Sequence, residues 1–444
     1  MPPLTHCFPF APHPVYTILP AMDSALTAKP RGRFGSFDRR VYILSLGWLV
    51  ADAGFAMVIP FISIYFNQEM GMSMSAIGLF FGFSAILRAA PQPFAGWLSD
   101  RIGRVPIMGW SLIVRAVTFA GVGYAIMSKA GFFTIAAVIS FNYIAGSVLA
   151  PAVNAMVADL VVKERRIAAF SFLRIAGNLG WAIGPALGGF VAHTSYANLF
   201  FLAAGITLLA GIYLLVSLRD TTAVEREELH TFKLRDIFDL RRDTALYKYC
   251  LISFVLFLAV AQLVAALSVY SVNTVGISQT QLGVLYTING LMVVFLQFPI
   301  MAALRRLPLT KQLAAGAFVY AVGYSLVGFA SGFAFLIACM VIITLAEIMV
   351  SPASLTLVAN LSSAGKYGRH MGLYGFFNMA GWSFGPTVGG ALLDVFKTQP
   401  HLMWITISQL AVAACVLYLL FGRTLPAEAN SSRRIDEESS AAHA

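Results

Sequence analysis

The sequence predicts an all-α integral membrane protein with twelve transmembrane helices, arranged as two six-helix bundles in a parallel repeat. Three observations support this prediction. The 444 residues are 59% hydrophobic and only 11% charged, whereas a soluble domain carries about 25% charged residues. About a dozen apolar stretches are long enough to cross a hydrocarbon layer of ~30 Å as helices. The second half of the chain also repeats the pattern of the first.

The apolar stretches follow one another through short loops, with one long charged loop in the middle of the chain. Each has about 20 residues or more, which is the length that a membrane-crossing helix needs. In order, the predicted spans are 41–66, 75–98, 106–127, 132–160, 167–192, 197–218, 247–272, 281–303, 311–330, 334–361, 371–396 and 402–422.

The internal repeat is clearest in the fifth and eleventh spans. A shift of 201 residues aligns the two halves there without a gap. Two halves in the same orientation are typical of two-bundle transporters, in which the substrate site lies between the repeats near the membrane midplane. In the second half, Gly381, Gly385, Pro386, Gly389 and Gly390 match Gly180, Gly184, Pro185, Gly188 and Gly189 of the first.

The repeat and the loops divide the chain into five parts. Residues 1–40 and 423–444 are expected to be disordered tails, because both are poor in long apolar runs. The central segment 219–246 carries charges of both signs. It is interpreted either as a solvated linker or as an amphipathic helix on the membrane surface. The two bundles then occupy 41–218 and 247–422.

The net charge of +10 reflects membrane topology and does not indicate a nucleic-acid partner. Of the 30 Lys and Arg residues, 25 fall in the tails, the central segment and the even-numbered loops, and only Lys129 and Lys397 fall on the opposite side. The positive-inside rule therefore places both termini in the cytoplasm. The expected location is the plasma (inner) membrane, crossed many times.

The residue pattern gives no indication of an enzyme or a metal centre. The four cysteines (Cys7, Cys250, Cys339 and Cys415) are scattered, without the paired spacing of a metal site or a disulfide framework. The chain has no P-loop, nucleophile elbow or HExxH sequence. An ATP-driven pump or a membrane hydrolase is therefore not expected.

One loop carries a charged motif beside the membrane core. The stretch Gly96-Trp-Leu-Ser-Asp-Arg-Ile-Gly-Arg104 lies between the second and third spans. It resembles motif A of the major facilitator superfamily, and the resemblance implies a latch that holds the cytoplasmic side shut. Asp100 would be the latch acid, Arg101 and Arg104 its basic partners, and Gly96 and Gly103 the close-contact glycines.

Two further patterns resemble motifs of the same superfamily. The glycine-proline pattern from Gly180 to Gly189 resembles motif C, which is associated with antiporters and would act as a hinge at Pro185. Its second copy, in the eleventh span, also fits a symmetric packing role. In motif B an Arg linked to proton coupling is expected in the fourth span, but alignment on Gly146 puts Asn142 there. Another charge would then have to carry the proton.

Charged residues inside the spans are the candidates for this role. Asp52 and Glu347 lie about eleven and thirteen residues into the first and tenth spans, which places both near the midplane at 1.5 Å per residue. Charges at this depth are costly and are functional candidates by default. Arg88 and Arg174 are the other two proton-coupling candidates. The alternative for Asp52 and Glu347 is a permanent ion pair with Arg88, Arg115 or Arg174. Asp159, Glu164 and Asp394 lie near span ends and are expected to be structural.

Polar residues on the spans that line the cavity of this superfamily are candidates for substrate contact. For each of them the alternative is ordinary helix packing. They are Asn142, Tyr143, Gln262, Tyr270, Asn289 and Asn378.

Together, these features make the chain similar to the bacterial drug:proton antiporter branch of the superfamily. The resemblance implies a monomeric secondary transporter that exports a small amphipathic compound by alternating access. A proton gradient would drive it without a cofactor, and its partners would be the substrate, protons and membrane lipids. A proton-coupled importer, a lipid exporter and a transporter-like membrane sensor are the alternatives.

Overall fold

The computed structural model describes residues 37–89, 91, 101–161, 166–219, 244–362 and 367–431, which are helical throughout apart from short connections. Among them, nine helices or broken helix pairs are long and apolar enough to cross a membrane. The α-helices are α1 Arg39–Gln68, α2 Met74–Ala89, α3 Arg104–Met127, α4 Phe132–Gly146, α5 Leu149–Leu160, α6 Arg166–Ala192, α7 Tyr196–Ser217, α8 Thr244–Val260, α9 Ala266–Asn273, α10 Gln279–Leu304, α11 Leu309–Val327, α12 Phe333–Leu361, α13 Tyr367–Val395 and α14 Pro400–Gly422.

The predicted spans coincide with these helices to within a few residues at most ends, but two spans are broken. The fourth span, predicted as 132–160, consists of α4 and α5 and is interrupted at Ser147 and Val148. Pro151 follows the break and cannot donate to the carbonyl of residue 147. Because Pro352 at the equivalent position leaves α12 continuous, proline alone does not explain the break. The guanidinium of Arg115 packs against Gly146, where its Nε lies 2.8 Å from the place a Cβ would occupy.

The seventh span, predicted as 247–272, consists of α8, a 3-10 turn at Ala261–Leu263 and α9. Tyrosines from neighbouring helices bond carbonyls at this interruption. The hydroxyl of Tyr324 donates to the Val260 carbonyl at 3.0 Å, and that of Tyr286 donates to the Leu263 carbonyl at 2.6 Å. The unwound turn is thus compensated by side-chain hydrogen bonds, as non-helical backbone inside a membrane protein requires.

The two halves of the chain pack through equivalent pairs of helices. Within the first half α1 packs against α6 and α3 against α7, and within the second half α8 packs against α13 and α11 against α14. Between the halves, α6 packs against α10 and α2 against α13. We call the end that carries the α1–α2, α6–α7, α9–α10 and α13–α14 connections the odd-loop end, and the opposite end the even-loop end.

The repeated glycines lie in these helix contacts. A Cβ at Gly180 would lie 2.7 Å from the Leu49 carbonyl oxygen of α1, and one at Gly381 would lie 3.1 Å from the Phe254 carbonyl oxygen of α8. Small residues at such positions let two backbones approach closely. Gly184 and Gly188 also face α1, and Gly385 and Gly389 face α8 or the turn after it.

The last glycine of each copy lies at the boundary between the halves. Gly189 abuts the backbone of Gln279 at the start of α10, and Gly390 abuts that of Met74 at the start of α2. Pro185 and Pro386 lie inside continuous helices, and their carbonyls face Gly283 and Gly78 respectively. Both copies therefore lie in equivalent helix contacts, as expected for a symmetric packing role, and the hinge at Pro185 stays a prediction.

Residues 423–431 differ from the expected disordered tail. The backbone carbonyl of Asn430 accepts from the Leu309 amide at 2.8 Å, and its side chain accepts from the Thr310 amide at 2.8 Å. The Asn360 amide also donates to the Ser431 carbonyl at 2.8 Å. This segment is therefore fixed across the start of α11. Residues 1–36 and 432–444 and most of the central segment, 220–243, lie outside the described residues.

Candidate functional site

A cluster of charged and aromatic side chains surrounds Asp52 in the first half. The Asp52 carboxylate lies against α6, where its Oδ2 is 2.9 Å from the position of a Cβ at Gly177. Arg115 and Arg88 act on it electrostatically. Neither approaches within the 4.0 Å of an ion pair, and Asp52 makes no hydrogen bond in the described structure. The permanent ion pair considered for Asp52 is therefore not formed.

Both arginines lie over one aromatic ring, that of Phe55. The Cζ atom of Arg115 lies 4.7 Å from the ring centroid, and that of Arg88 lies 5.8 Å from it. The edges of Tyr143 and Trp181 meet the same ring at centroid distances of 6.0 and 6.4 Å. Cations over an aromatic face are stabilised by its quadrupole. We call this group, Asp52, Phe55, Arg88, Arg115, Tyr143 and Trp181, the first-half cluster.

Arg115 is the most constrained member of the first-half cluster. It is only 6% exposed, and its Nε has no hydrogen-bond partner among the described residues. A buried guanidinium without a full set of acceptors is costly. This cost marks the cluster as a functional candidate.

Glu347 lies in the second half, on α12, and is held by a neighbour on α10. The Asn289 side-chain amide donates to Glu347 Oε2 at 3.0 Å and to Thr344 Oγ1 at 3.0 Å. By the repeat, Glu347 occupies the position equivalent to Gly146. The second half therefore has an acid where the first half has a glycine covered by Arg115.

Arg174 connects the first half to the helix of Glu347. Its Nη2 donates to Ser351 Oγ at 2.5 Å, and it interacts electrostatically with Glu347. Glu347 and Ser351 are four residues apart and share one face of α12. Arg174 thus reaches from α6 to α12 at the level of Glu347, and its contacts are with α12 and not with Asp52.

Three of the six predicted cavity residues use their polar groups in helix packing. Asn142 is 2% exposed and donates to the Arg115 carbonyl. Gln262 is fully buried and donates to the Leu258 and Gly385 carbonyls, each at 2.7 Å. Tyr270 donates to the Gly328 carbonyl and packs on Trp404. These bonds fit the alternative of helix packing, and substrate contact by the three residues stays a prediction.

The other three predicted cavity residues are partly buried. Tyr143 belongs to the first-half cluster and Asn289 bonds Glu347, so both lie beside the partly buried acids Asp52 and Glu347. Asn378 lies next to Tyr374 on α13.

The latch expected at the even-loop end is only partly described. Gly96 and Asp100 lie outside the described residues. Gly103 has a φ of +108° just before α3, a conformation that favours glycine. Arg104 forms an ion pair with Asp159 of α5, and Arg101 is exposed. Asp159 therefore has the structural role that its position suggested.

At the odd-loop end the two halves are joined by polar contacts. Asp394 at the end of α13 accepts from the Ser75 amide at 2.8 Å and from the Ser75 hydroxyl at 2.5 Å. Asn273 accepts from Gln68 at 2.6 Å and donates to Asn67 at 2.5 Å. These bonds cross from one half to the other, so the odd-loop end is closed in this structure.

Three participants were not identified from the sequence. Phe55, Trp181 and Ser351 are ordinary residues of apolar spans, and only the packing of helices shows what they contact. For Phe55 a weak signal exists, because it follows Asp52 by three residues and so shares a helix face with it.

The comparisons with known proteins agree with this architecture. The family model of the Major Facilitator Superfamily matches residues 44–276 and 249–443. The chain is 26% identical over 380 residues to Multidrug resistance protein 2 of Bacillus subtilis (strain 168), covering 82% of this chain and 92% of that protein. It is 25% identical over 387 residues to the uncharacterized MFS-type transporter YttB of the same organism, covering 86% and 95%. The solved structure of the nucleoside transporter NupG superposes with a TM-score of 0.74 at 13% identity, covering 86% and 99%.

A fold of twelve helices in two repeated bundles, with charged side chains at contacts between its helices, is typical of membrane transporters. The matching family and relatives are transporters, so the protein is a transporter and not an enzyme. The chain belongs to the Major Facilitator Superfamily. This confirms the family resemblance and the fold class, and it makes the protein a multi-pass membrane protein.

Proposed function

We propose that the protein exports small amphipathic compounds in exchange for protons, by alternating access between the two bundles. The observation that carries this proposal is the contact of Arg174 with Ser351. It joins the two halves one helical turn from Glu347, whose carboxyl group can gain and lose a proton. Similarity to a protein named for multidrug resistance supports export. The odd-loop end then faces outward and both termini face the cytoplasm, as the distribution of basic residues indicates.

Glu347 is the proposed proton carrier. When its carboxylate is ionised, it attracts Arg174 and reinforces the link between α6 and α12. Protonation removes that attraction and leaves only the hydrogen bond to Ser351. A ligand or proton can change a conformational equilibrium only through such a difference between states. Antiport follows if the substrate requires the ionised carboxylate, because proton and substrate then exclude each other.

The first-half cluster is the proposed wall of the substrate site. Phe55, Tyr143 and Trp181 give the substrate a large aromatic surface, and Asp52 gives it a carboxylate that is not bound to another side chain. Sites for small molecules typically combine such an apolar wall with a few polar groups. Asp52 is the proposed second carrier or cation contact. The transporter is expected to work as a monomer, without a metal or an organic cofactor.

One observation favours a second candidate, proton-coupled import. Arg88 and Arg115 lie over the same ring, and no acid of the described residues lies within 4.0 Å of either. This arrangement suits the carboxylate or phosphate of a substrate. An anion placed there would favour protonation of Asp52. Anion and proton would then bind together and move in the same direction.

Proteoliposomes with an imposed pH gradient distinguish the two candidates. The purified protein is tested with amphipathic cations and anions while a dye in the lumen reports pH. Export by antiport predicts accumulation of substrate in vesicles with an acidic lumen, whatever the orientation of the protein, and alkalinisation of that lumen. Accumulation only with acid outside supports import. If accumulation is the same with acid inside, with acid outside and without a pH gradient, proton coupling is contradicted.

A further inference from the structure

We propose that a basic pocket at the even-loop end of the second half binds the headgroup of an anionic phospholipid. The cavity has a volume of about 660 Å³ and is lined by Arg305, Arg306, Lys311 and Arg423. Among the described residues that line it, none is acidic. Basic pockets between transmembrane helices on the cytoplasmic side, where the charge distribution puts this end, bind anionic lipid headgroups. The inference goes beyond the transport function and does not depend on it.

The wall of this basic pocket is fixed by the segment that follows α14. Asn430, only 8% exposed, accepts from the Thr310 amide and donates to the Thr310 hydroxyl, each at 2.8 Å. Asn360 on α12 holds the Ala429 and Ser431 carbonyls from the other side. The basic side chains therefore surround a cavity whose wall is held in place by hydrogen bonds.

The pocket also borders the apolar surface of the bundle. Leu307 and Leu419 line it and are 41% and 46% exposed. A phospholipid matches this combination, because its phosphate can contact the basic groups while an acyl chain lies along the leucines. A free phosphate would use the basic groups alone. Among the described basic residues at this end, Arg39, Arg219 and Lys248 lie outside the pocket.

Lipid binding to the full-length protein in detergent can be counted by native mass spectrometry. The probes are phosphatidylglycerol, phosphatidylcholine with the same acyl chains, and inorganic phosphate as a competitor. The test variant combines Arg306→Gln, Lys311→Gln and Arg423→Gln. The control combines Arg39→Gln, Arg219→Gln and Lys248→Gln, which removes three exposed positive charges from the same end. A third variant, Ala427→Trp, fills the pocket without changing its charge.

The parent should bind one phosphatidylglycerol at least tenfold more tightly than phosphatidylcholine. Near an anionic surface each basic side chain is worth about a fivefold factor in affinity, so the pocket variant should lose about a hundredfold. The control should stay within about threefold, and Ala427→Trp should also weaken binding. Equal losses in the two triple variants would show a general surface charge and overturn the proposal. Displacement of the lipid by millimolar phosphate would overturn the assignment to a lipid.

Discussion

The carboxylate of Asp394 caps the start of α2 through Ser75, which lies in the other half of the molecule. One carboxylate oxygen accepts from both the amide and the hydroxyl of Ser75, and the other accepts from the Met74 amide at 3.3 Å. A negative charge at a helix N-terminus is favourable because the first amides there have no helical partners. This contact joins the last turn of α13 to the first turn of α2 and secures the odd-loop end.

Asp394→Asn should weaken that closure. The substitution removes the charge and one of the strong acceptors, and hydrogen bonds to charged groups are worth about 1.5–3 kcal/mol. The measurement is the labelling rate of a Cys introduced at Thr287, by an impermeant thiol reagent applied from the odd-loop side. It uses a background without the four native cysteines. We expect the rate to rise several-fold.

The matched control for Asp394 is Lys397→Gln. Lys397 lies 3.8 Å from Asp394, but its side chain is 71% exposed, and an exposed ion pair contributes little. Labelling in this variant should equal that of the parent. A normal labelling rate in Asp394→Asn would show that the cap does not hold this end shut.

Gly189→Ala should disturb the contact between the halves. A Cβ at residue 189 would collide with the backbone carbonyl of Gln279. A backbone carbonyl inside a helix cannot move aside as a flexible side chain can. Overpacking of this kind typically costs about 1–3 kcal/mol. The melting temperature in detergent should fall by several degrees, and transport should decline. Gly205→Ala in α7 is the control, because a Cβ there meets nothing within 4 Å, and it should leave both quantities unchanged.

Asp52 and Asp159 should respond differently to substitution by Asn. Asp159 pairs with Arg104, which is 8% exposed, so Asp159→Asn should destabilise the fold by about 1–3 kcal/mol. Asp52 has no such partner, so Asp52→Asn should keep the melting temperature within about two degrees while raising the KM for a cationic substrate. The checks are thermal unfolding and transport kinetics on the same preparations. Equal losses of stability in both variants would make Asp52 a structural residue.

The proposed topology, with both termini in the cytoplasm, rests on the distribution of basic residues and can be measured directly. Reporter fusions at residue 230 and after residue 440 should be active only with a reporter that works in the cytoplasm. An active periplasmic reporter at either point would reverse the orientation. It would also reverse the assignment of the odd-loop end to the outside.

The positions of the helices could be predicted from the sequence because each span is a long apolar run, and span length is set by the bilayer. The first span was predicted at 41–66 and α1 covers Arg39–Gln68. The two breaks could not be predicted. One involves the packing of Arg115 on Gly146, and the other is compensated by Tyr286 and Tyr324. Both are contacts between separate helices, which periodicity does not reveal.

The candidate site could be predicted only in part for the same reason. Depth along a helix identified Asp52 and Glu347, since a buried charge is conspicuous in an apolar span. Their partners depend on how helices are rotated against one another. Asn289, a predicted substrate contact, bonds Glu347, and Arg174 reaches across to Ser351. Gln262 and Tyr270 show the opposite case, in which polar residues serve helix packing.

The central claim is that Glu347 carries the coupled proton, and Glu347→Gln tests it most directly. The amide keeps an oxygen that can accept from Asn289, so folding should be preserved, but it cannot be ionised. In proteoliposomes the variant should still exchange labelled for unlabelled substrate. It should lose at least tenfold in accumulation driven by a pH gradient, with no alkalinisation of the lumen. Accumulation equal to that of the parent under the same gradient would contradict the assignment.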